Sequence, residues 1–272
     1  MKNPFVIFSL FLFLLCLGDP SPVQAQKFMP DQYLFGPSAI PMEKGELRYR
    51  NNGITLNSLH LGISNHVSID VGAELLLSSI LILLNEGGLI SFANVKYGYS
   101  FHENFHLGGG VFAGGMLSSD PYNRAAFVAS YGLVTLGNTI NNFSLAFGKA
   151  SGGQYNEDPF FFMFSGKVQL GRRWDLISEN YLVFQKLESR LAQVNGSVVE
   201  MGGGLDSYFA CSMAVRFYSR IVNLDLGLSG LHTSYSNSFI DRSNGQANVV
   251  KRRNNVWFPI PIPIVALSFS IR

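Results

Sequence analysis

Apolar and polar residues alternate along most of this chain. From His66 to Leu75, the residues Val67, Ile69, Val71, Ala73 and Leu75 share one face, and Ser68, Asp70, Gly72 and Glu74 share the other. Phe143, Leu145 and Phe147 oppose Ser144, Ala146 and Gly148 in the same way, and Leu224, Leu226 and Leu228 oppose Asn223, Asp225, Gly227 and Ser229. Close to the C-terminus, Val265, Leu267, Phe269 and Ile271 oppose Ala266, Ser268, Ser270 and Arg272. A period of two predicts strands with one apolar face. Most segments run roughly 10 to 14 residues, the span of a tilted membrane strand, where soluble strands average about 5 to 6.

The connections are of two kinds. Short polar turns fall at Asn51-Asn52-Gly53, Ser64-Asn65-His66, His102-Glu103-Asn104, Gly137-Asn138-Thr139, Arg172-Arg173 and Ser219-Arg220. Asn and Gly supply the backbone freedom that tight turns need. Long connections are expected near 78–88, 117–123, 150–158, 186–197 and 236–257. Alternation of short and long connections is the pattern of a bacterial outer-membrane barrel, with short turns periplasmic and long loops extracellular. The expected fold is all-β: a transmembrane antiparallel up-and-down barrel of about 12 strands, with 10 to 14 compatible with the pattern.

The start of the chain reads as an address. Lys2 precedes an apolar run from Phe5 to Leu17, Pro20 and Pro22 break it, and Val23-Gln24-Ala25 presents small residues for cleavage before Gln26. The run is about 13 residues, short of the ~20 a spanning helix needs. The expected organisation is a signal peptide over 1–25, a periplasmic lead-in over 26–43 and the barrel over 44–272. Charged residues make up only 14% and aromatics 13%, with a net charge of +2, which argues against a disordered or nucleic-acid-binding chain. Past the leader the remaining cysteine is Cys211, so no intramolecular disulfide is expected.

Several segments carry a family resemblance. Tyr131-Gly132-Leu133-Val134-Thr135-Leu136-Gly137-Asn138, Asn141-Asn142-Phe143-Ser144-Leu145 and Leu176-Ile177-Ser178-Glu179-Asn180-Tyr181 resemble segments of a poorly characterised family of Gram-negative outer-membrane β-barrel proteins. Pro37-Ser38-Ala39-Ile40-Pro41 followed by Lys44-Gly45-Glu46 is similar to that family's approach to its first strand. The resemblance covers roughly residues 35 to 230 and implies the barrel and its outer-membrane location, with no activity attached. The C-terminus departs from barrels generally: Ser270-Ile271-Arg272 follows Phe269 where a terminal aromatic is usual.

The polar faces carry Arg48, Arg50, Asp70, Glu74, Lys96, Lys167, Glu179, Arg216 and Asp225, charges of both signs expected to point into the lumen. Lumen charges must pair or stay wet, so they either close a salt-bridged interior or line a pore that selects solutes by charge. The five histidines show no zinc-protease spacing, and neither a metal nor any other cofactor is expected. His232 and Ser234 sit two residues apart at a strand end, on the face of Leu224 and Leu228, and resemble the rim site of outer-membrane lipid A deacylases, although no third acid is evident. Lys251, Arg252 and Arg253, placed in the last long loop, offer a basic cluster for lipopolysaccharide phosphates.

The sequence thus reads as a non-enzymatic outer-membrane barrel, channel-like or structural. A lipid hydrolase using His232 and Ser234 and a loop-mediated surface binding protein are the alternatives. The expected partners are outer-membrane lipid, lipopolysaccharide and the barrel-assembly machinery, with no nucleic acid.

Overall fold

The computed structural model describes residues 29–53, 55–75, 78–79, 88–117, 125–152, 158–194, 197–219, 222–241 and 248–271, so the expected signal peptide lies outside the described residues. Twelve antiparallel strands close into one barrel, each pairing with its chain neighbours and β1 with β12. They are β1 (Leu47–Asn52), β2 (Leu56–Gly62), β3 (Val67–Glu74), β4 (Leu89–His102), β5 (Phe105–Leu117), β6 (Ala125–Gly137), β7 (Asn142–Gly152), β8 (Phe160–Gly171), β9 (Trp174–Val194), β10 (Ser197–Tyr218), β11 (Val222–Asp241) and β12 (Asn248–Ile271). Closure pairs every strand on both sides, the only way a sheet can span lipid without an exposed polar edge.

The period of two sets the wall. Leu59, Val71, Val95, Val111, Leu145, Phe147, Phe162, Val168, Met213 and Leu228 are exposed large apolar residues on the outer face. Their strand neighbours Ser58, Asn94, Lys96, Ser144, Ala146, Ser165 and Lys167 are buried inside. An apolar exterior around a polar interior is the inverse of a soluble protein and the arrangement that lipid as solvent demands. Aromatic rings gather near the short turns: Tyr99, Phe101 and Phe105 pack together around residues 103–104, and Trp174 packs on Phe217 at a centroid distance of 4.6 Å. Such rings belong at a membrane interface, so this end of the barrel has a defined lipid boundary.

The turn pattern requires one correction. Asn51-Asn52-Gly53 is not at the same end as the other short turns. β1 runs away from that end, so the β1–β2 connection, with Gly53 at φ 61°, lies at the end of the long connections. Two longer connections are also shorter than expected. β9 continues to Val194 and β10 resumes at Ser197, so most of 186–197 is paired strand. Likewise β11 reaches Asp241 and β12 begins at Asn248. Lys251, Arg252 and Arg253 therefore lie on β12, opposite Ser238, Asn237 and Ser236, not in a loop, and their side chains lie outside the described residues.

β9 to β12 are 20 to 24 residues long against 6 to 8 for β1 to β3, so the wall is much taller on one side. β1 pairs only with residues 266–271 of β12. Pro259, Pro261 and Pro263 lie within β12 beyond that overlap. Pro263 pairs with Leu228, and the register slips between the partners of Ser229 and Leu231. Prolines lack an N–H to donate, and a strand stretch paired along one edge and interrupted by a bulge tolerates them.

The largest departure concerns the lead-in. Residues 29–43 do not lie outside the barrel in the periplasm. They fold back into the lumen at the short-turn end and are held there by the wall, through Asn142, Ser144, Thr135, Glu179, Arg216 and Lys96. The reason is charge: the wall buries cations and a carboxylate at this level, and the lead-in's backbone supplies their hydrogen bonds.

Candidate functional site

The lumen is organised around this inserted segment. Glu179 on β9 accepts from three successive backbone N–H groups, Leu34 at 2.7 Å, Phe35 at 3.0 Å and Gly36 at 3.0 Å, and from the Tyr181 hydroxyl at 2.6 Å. Consecutive N–H groups converging on one anion make a nest, here with the anion supplied by the wall. Arg50 and Arg216 converge on Asp225 at 2.7 and 2.6 Å, and both also donate to the Tyr33 carbonyl, at 2.9 and 2.7 Å. Lys96 reaches the carbonyls of Asp31, Ser38 and Ile40 at 3.1 to 3.3 Å, and Lys167 those of Met29 and Thr139. Arg48 pairs with Asp31 at 2.8 Å and with Glu46 at 2.7 Å.

Apolar contacts complete the plug. Tyr33 and Leu34 pack with Ile177, Ala214 and Ile264, and Ala39 packs with Leu133, Ala146 and Met163. The Tyr33 hydroxyl sits 2.7 Å from both Asn142 Oδ1 and Ser144 Oγ, and burial raises its pKa well above the ordinary phenol value. At Gly98 the wall has no side chain because an added Cβ would lie 2.5 Å from the Ala39 carbonyl oxygen.

Burial alone would raise the Asp31 carboxyl. Arg48 and Lys96 beside it outweigh burial and hold it well below the usual carboxylate range. A depressed folded value gives stability that is fully present above the unfolded carboxylate value of about 3.9 and fades as pH falls below it. The Asp31 anchor should therefore hold unchanged from pH 5 upward, checked by protease protection of the lead-in across a pH series.

Arg48, Arg50, Lys96, Lys167, Glu179, Arg216 and Asp225 are buried. Asp70 binds His60 and Asn94, and Glu74 accepts from the Ser78 backbone at 2.8 Å. The seven buried charges bond to one another or to the lead-in. Sequence reasoning missed Asp31, Tyr33, His60, His106, Asp175 and Asp206, all inward or inserted polar groups. Strand parity was the signal that could have found the wall positions among them; Asp31 and Tyr33 lie in the lead-in, where no strand period applies.

Above the plug a second polar group forms. Ser58 Oγ lies 2.9 Å from His60 Nε2, and His60 Nδ1 lies 2.8 Å from Asp70 Oδ1. Asp70 Oδ2 accepts from Asn94 at 2.8 Å, and Asn94 Oδ1 accepts from the Tyr131 hydroxyl at 3.0 Å. The register sets His60 opposite Asp70, and Ser58 and His60 share a face at i and i+2. Towards the long-connection end the lumen becomes aromatic. Phe92 stacks on Phe112 at 5.6 Å and Phe112 meets Phe127 at 5.7 Å. Gly72, Gly110 and Gly148 leave space for the rings of Phe92, Tyr131 and Phe161 to lie against the wall.

His232 and Ser234 lie on one unbroken stretch of β11, opposite Trp257 and Asn255 of β12. The His232 ring lies against Trp257, itself 61% exposed on the outer face, at a centroid distance of 4.4 Å, whereas Ser234 is buried. Among the described residues no group of three or more His, Cys, Asp or Glu is placed to hold a metal ion.

No protein-family model matches the chain, and no curated protein matches it. Among solved structures, the outer-membrane expressed OmpT of Vibrio cholerae is similar with a TM-score of 0.37 and 10% sequence identity, over 79% of this chain and 64% of that one. The chain thus spans less than two thirds of that protein's length.

Proposed function

We propose that this protein is an outer-membrane barrel held shut by its own N-terminal segment: a gated small-solute channel that is closed at rest. One observation carries this reading. Residues 29–43 occupy the short-turn end of the lumen, fastened by Glu179, the Arg50–Asp225–Arg216 cluster and Lys96. An open porin keeps its lumen charges hydrated; here they are spent on a segment of the same chain. Membership of the barrel family resembled by Tyr131–Asn138 and Leu176–Tyr181 belongs to the same reading, as do contacts with outer-membrane lipid, lipopolysaccharide and the assembly machinery. The outer aromatic and apolar belt supports the location.

Single-channel recording in planar bilayers tests the gate. The mature protein should stay near baseline. Gly98→Val, which crowds the Ala39 carbonyl without touching a charge, should give discrete conductance steps. Large stable steps from the unmodified protein would overturn the proposal. Location is tested separately. The mature protein should fractionate with the outer membrane and shift on gels after heating. Tags at Gly152 should be reachable on intact cells and tags at Asn65 or Asn138 should not; the reverse labelling would invert the orientation.

A further inference from the structure

We infer that Ser58, His60 and Asp70 form a nucleophilic acyl-transfer site inside the lumen, suited to carboxylic esters with an apolar acyl chain. The inference goes beyond the channel reading and does not rest on it. It begins with hydrogen-bond accounting. A carboxylate only accepts, so the proton between His60 and Asp70 is on Nδ1, 2.8 Å from Oδ1. A neutral ring then aims its Nε2 lone pair at Ser58 Oγ, 2.9 Å away. The competing acceptor for the serine proton, the Arg50 carbonyl, is farther, at 3.4 Å. Asn94 holds the second Asp70 oxygen at 2.8 Å and is itself held by Tyr131, so the carboxylate cannot swing away from the ring. Nucleophile, base and orienting acid are in contact in that order, which is the geometric signature of an activated serine.

A buried cation and an aromatic surface lie beside this group. Arg48 stands opposite His60 in the ladder and Arg50 opposite Ser58. Arg48 Nε is buried without a hydrogen-bond partner, although the rest of its guanidinium is tied to Asp31 and Glu46. Phe92 lies over Gly72, the residue opposite Ser58 on β3. From there Phe112 and Phe127 continue the aromatic surface, and Phe127 is 40% exposed. This aromatic surface adjoins the residue opposite Ser58, and its polarity suits an apolar acyl chain.

Each step balances with these groups alone. Ser58 Oγ adds to the ester carbonyl carbon while His60 Nε2 takes the hydroxyl proton. The acyl carbon–oxygen bond breaks and the alcohol leaves with that proton. Water adds to the acyl-serine carbon, His60 takes one water proton, and the bond to Oγ breaks as His60 returns the proton. The carboxylic acid departs.

The test uses the mature protein folded in detergent micelles and a fluorophosphonate carrying a long alkyl chain. One adduct, mapped by peptide mass to Ser58, is the expected result and needs no variant. His60→Gln should slow labelling by ~10²–10⁴-fold, the usual contribution of a general base. Phe92→Ala should speed it if the ring covers the serine, and hydrolysis of p-nitrophenyl esters should favour long acyl chains over acetate. Absence of an adduct on protein that still shows the heat-dependent gel shift, or an adduct on a serine other than Ser58, would overturn the inference. So would labelling that is equal in His60→Gln, which would mean a merely exposed hydroxyl.

Discussion

Asp225→Ala should cost the folded barrel about 3–5 kcal/mol, the usual effect of removing one member of a buried ion pair. Asp225 is the shared carboxylate of Arg50 and Arg216, and all three side chains are at most 1% exposed. Taking it away leaves two buried guanidinium groups facing each other, with the Tyr33 and Gln32 carbonyls, Asn52 and Tyr218 as their remaining partners. Each 1.4 kcal/mol is tenfold in the folding equilibrium, so the loss corresponds to roughly 10²–10³-fold or more. Urea unfolding in micelles, read by the folded and unfolded gel bands, measures it. The exposed pair Lys149–Asp158, with side chains 48% and 36% exposed, is the control: Asp158→Ala should change nothing measurable. A loss at Asp225 no larger than at Asp158 would mean that the lumen at this level is wet and open.

Glu179→Gln should release the plug while leaving the barrel folded. The Glu179 carboxylate accepts from Leu34, Phe35, Gly36 and Tyr181, and hydrogen bonds to a charged group are worth about 1.5–3 kcal/mol each where neutral ones are worth about 1. The amide keeps the shape but removes the charge and brings two donors towards groups that themselves donate. A net loss of about 3 kcal/mol would raise the released fraction ~10²-fold. Because Glu179 joins the wall to the lead-in rather than strand to strand, the effect should appear as bilayer conductance and protease cleavage near residue 36, with little change in the gel shift. Unchanged closure in Glu179→Gln, together with unchanged closure in Gly98→Val, would show that the segment is a permanent part of the core.

Much of the fold was legible in the order of residues. The period of two at Val67–Glu74 and at Leu224–Leu228 depends only on tetrahedral geometry along an extended chain, so the outward and inward sets could be read locally. Turn chemistry at Asn65 and Asn138 is equally local. The number of strands followed from these local signals. Strand ends did not, because β9 to β12 continue through polar stretches such as Glu188 to Gln193, where pairing with a neighbour overrides composition. The end at which the β1–β2 turn lies was also misread, since a short turn looks the same at either end of a barrel.

What the lumen contains was decided by tertiary structure alone. Nothing in Asp31 to Gly36 says that its N–H groups will meet Glu179, some 145 residues later. Ser58 and His60 share a face by their spacing, but Asp70 joins them only because the β2–β3 register sets it opposite His60, and a slip of one residue would turn it to lipid. Alternation tells each side chain which way to face. Closure of the sheet decides which other side chains, and which piece of the chain's own N-terminus, it faces there.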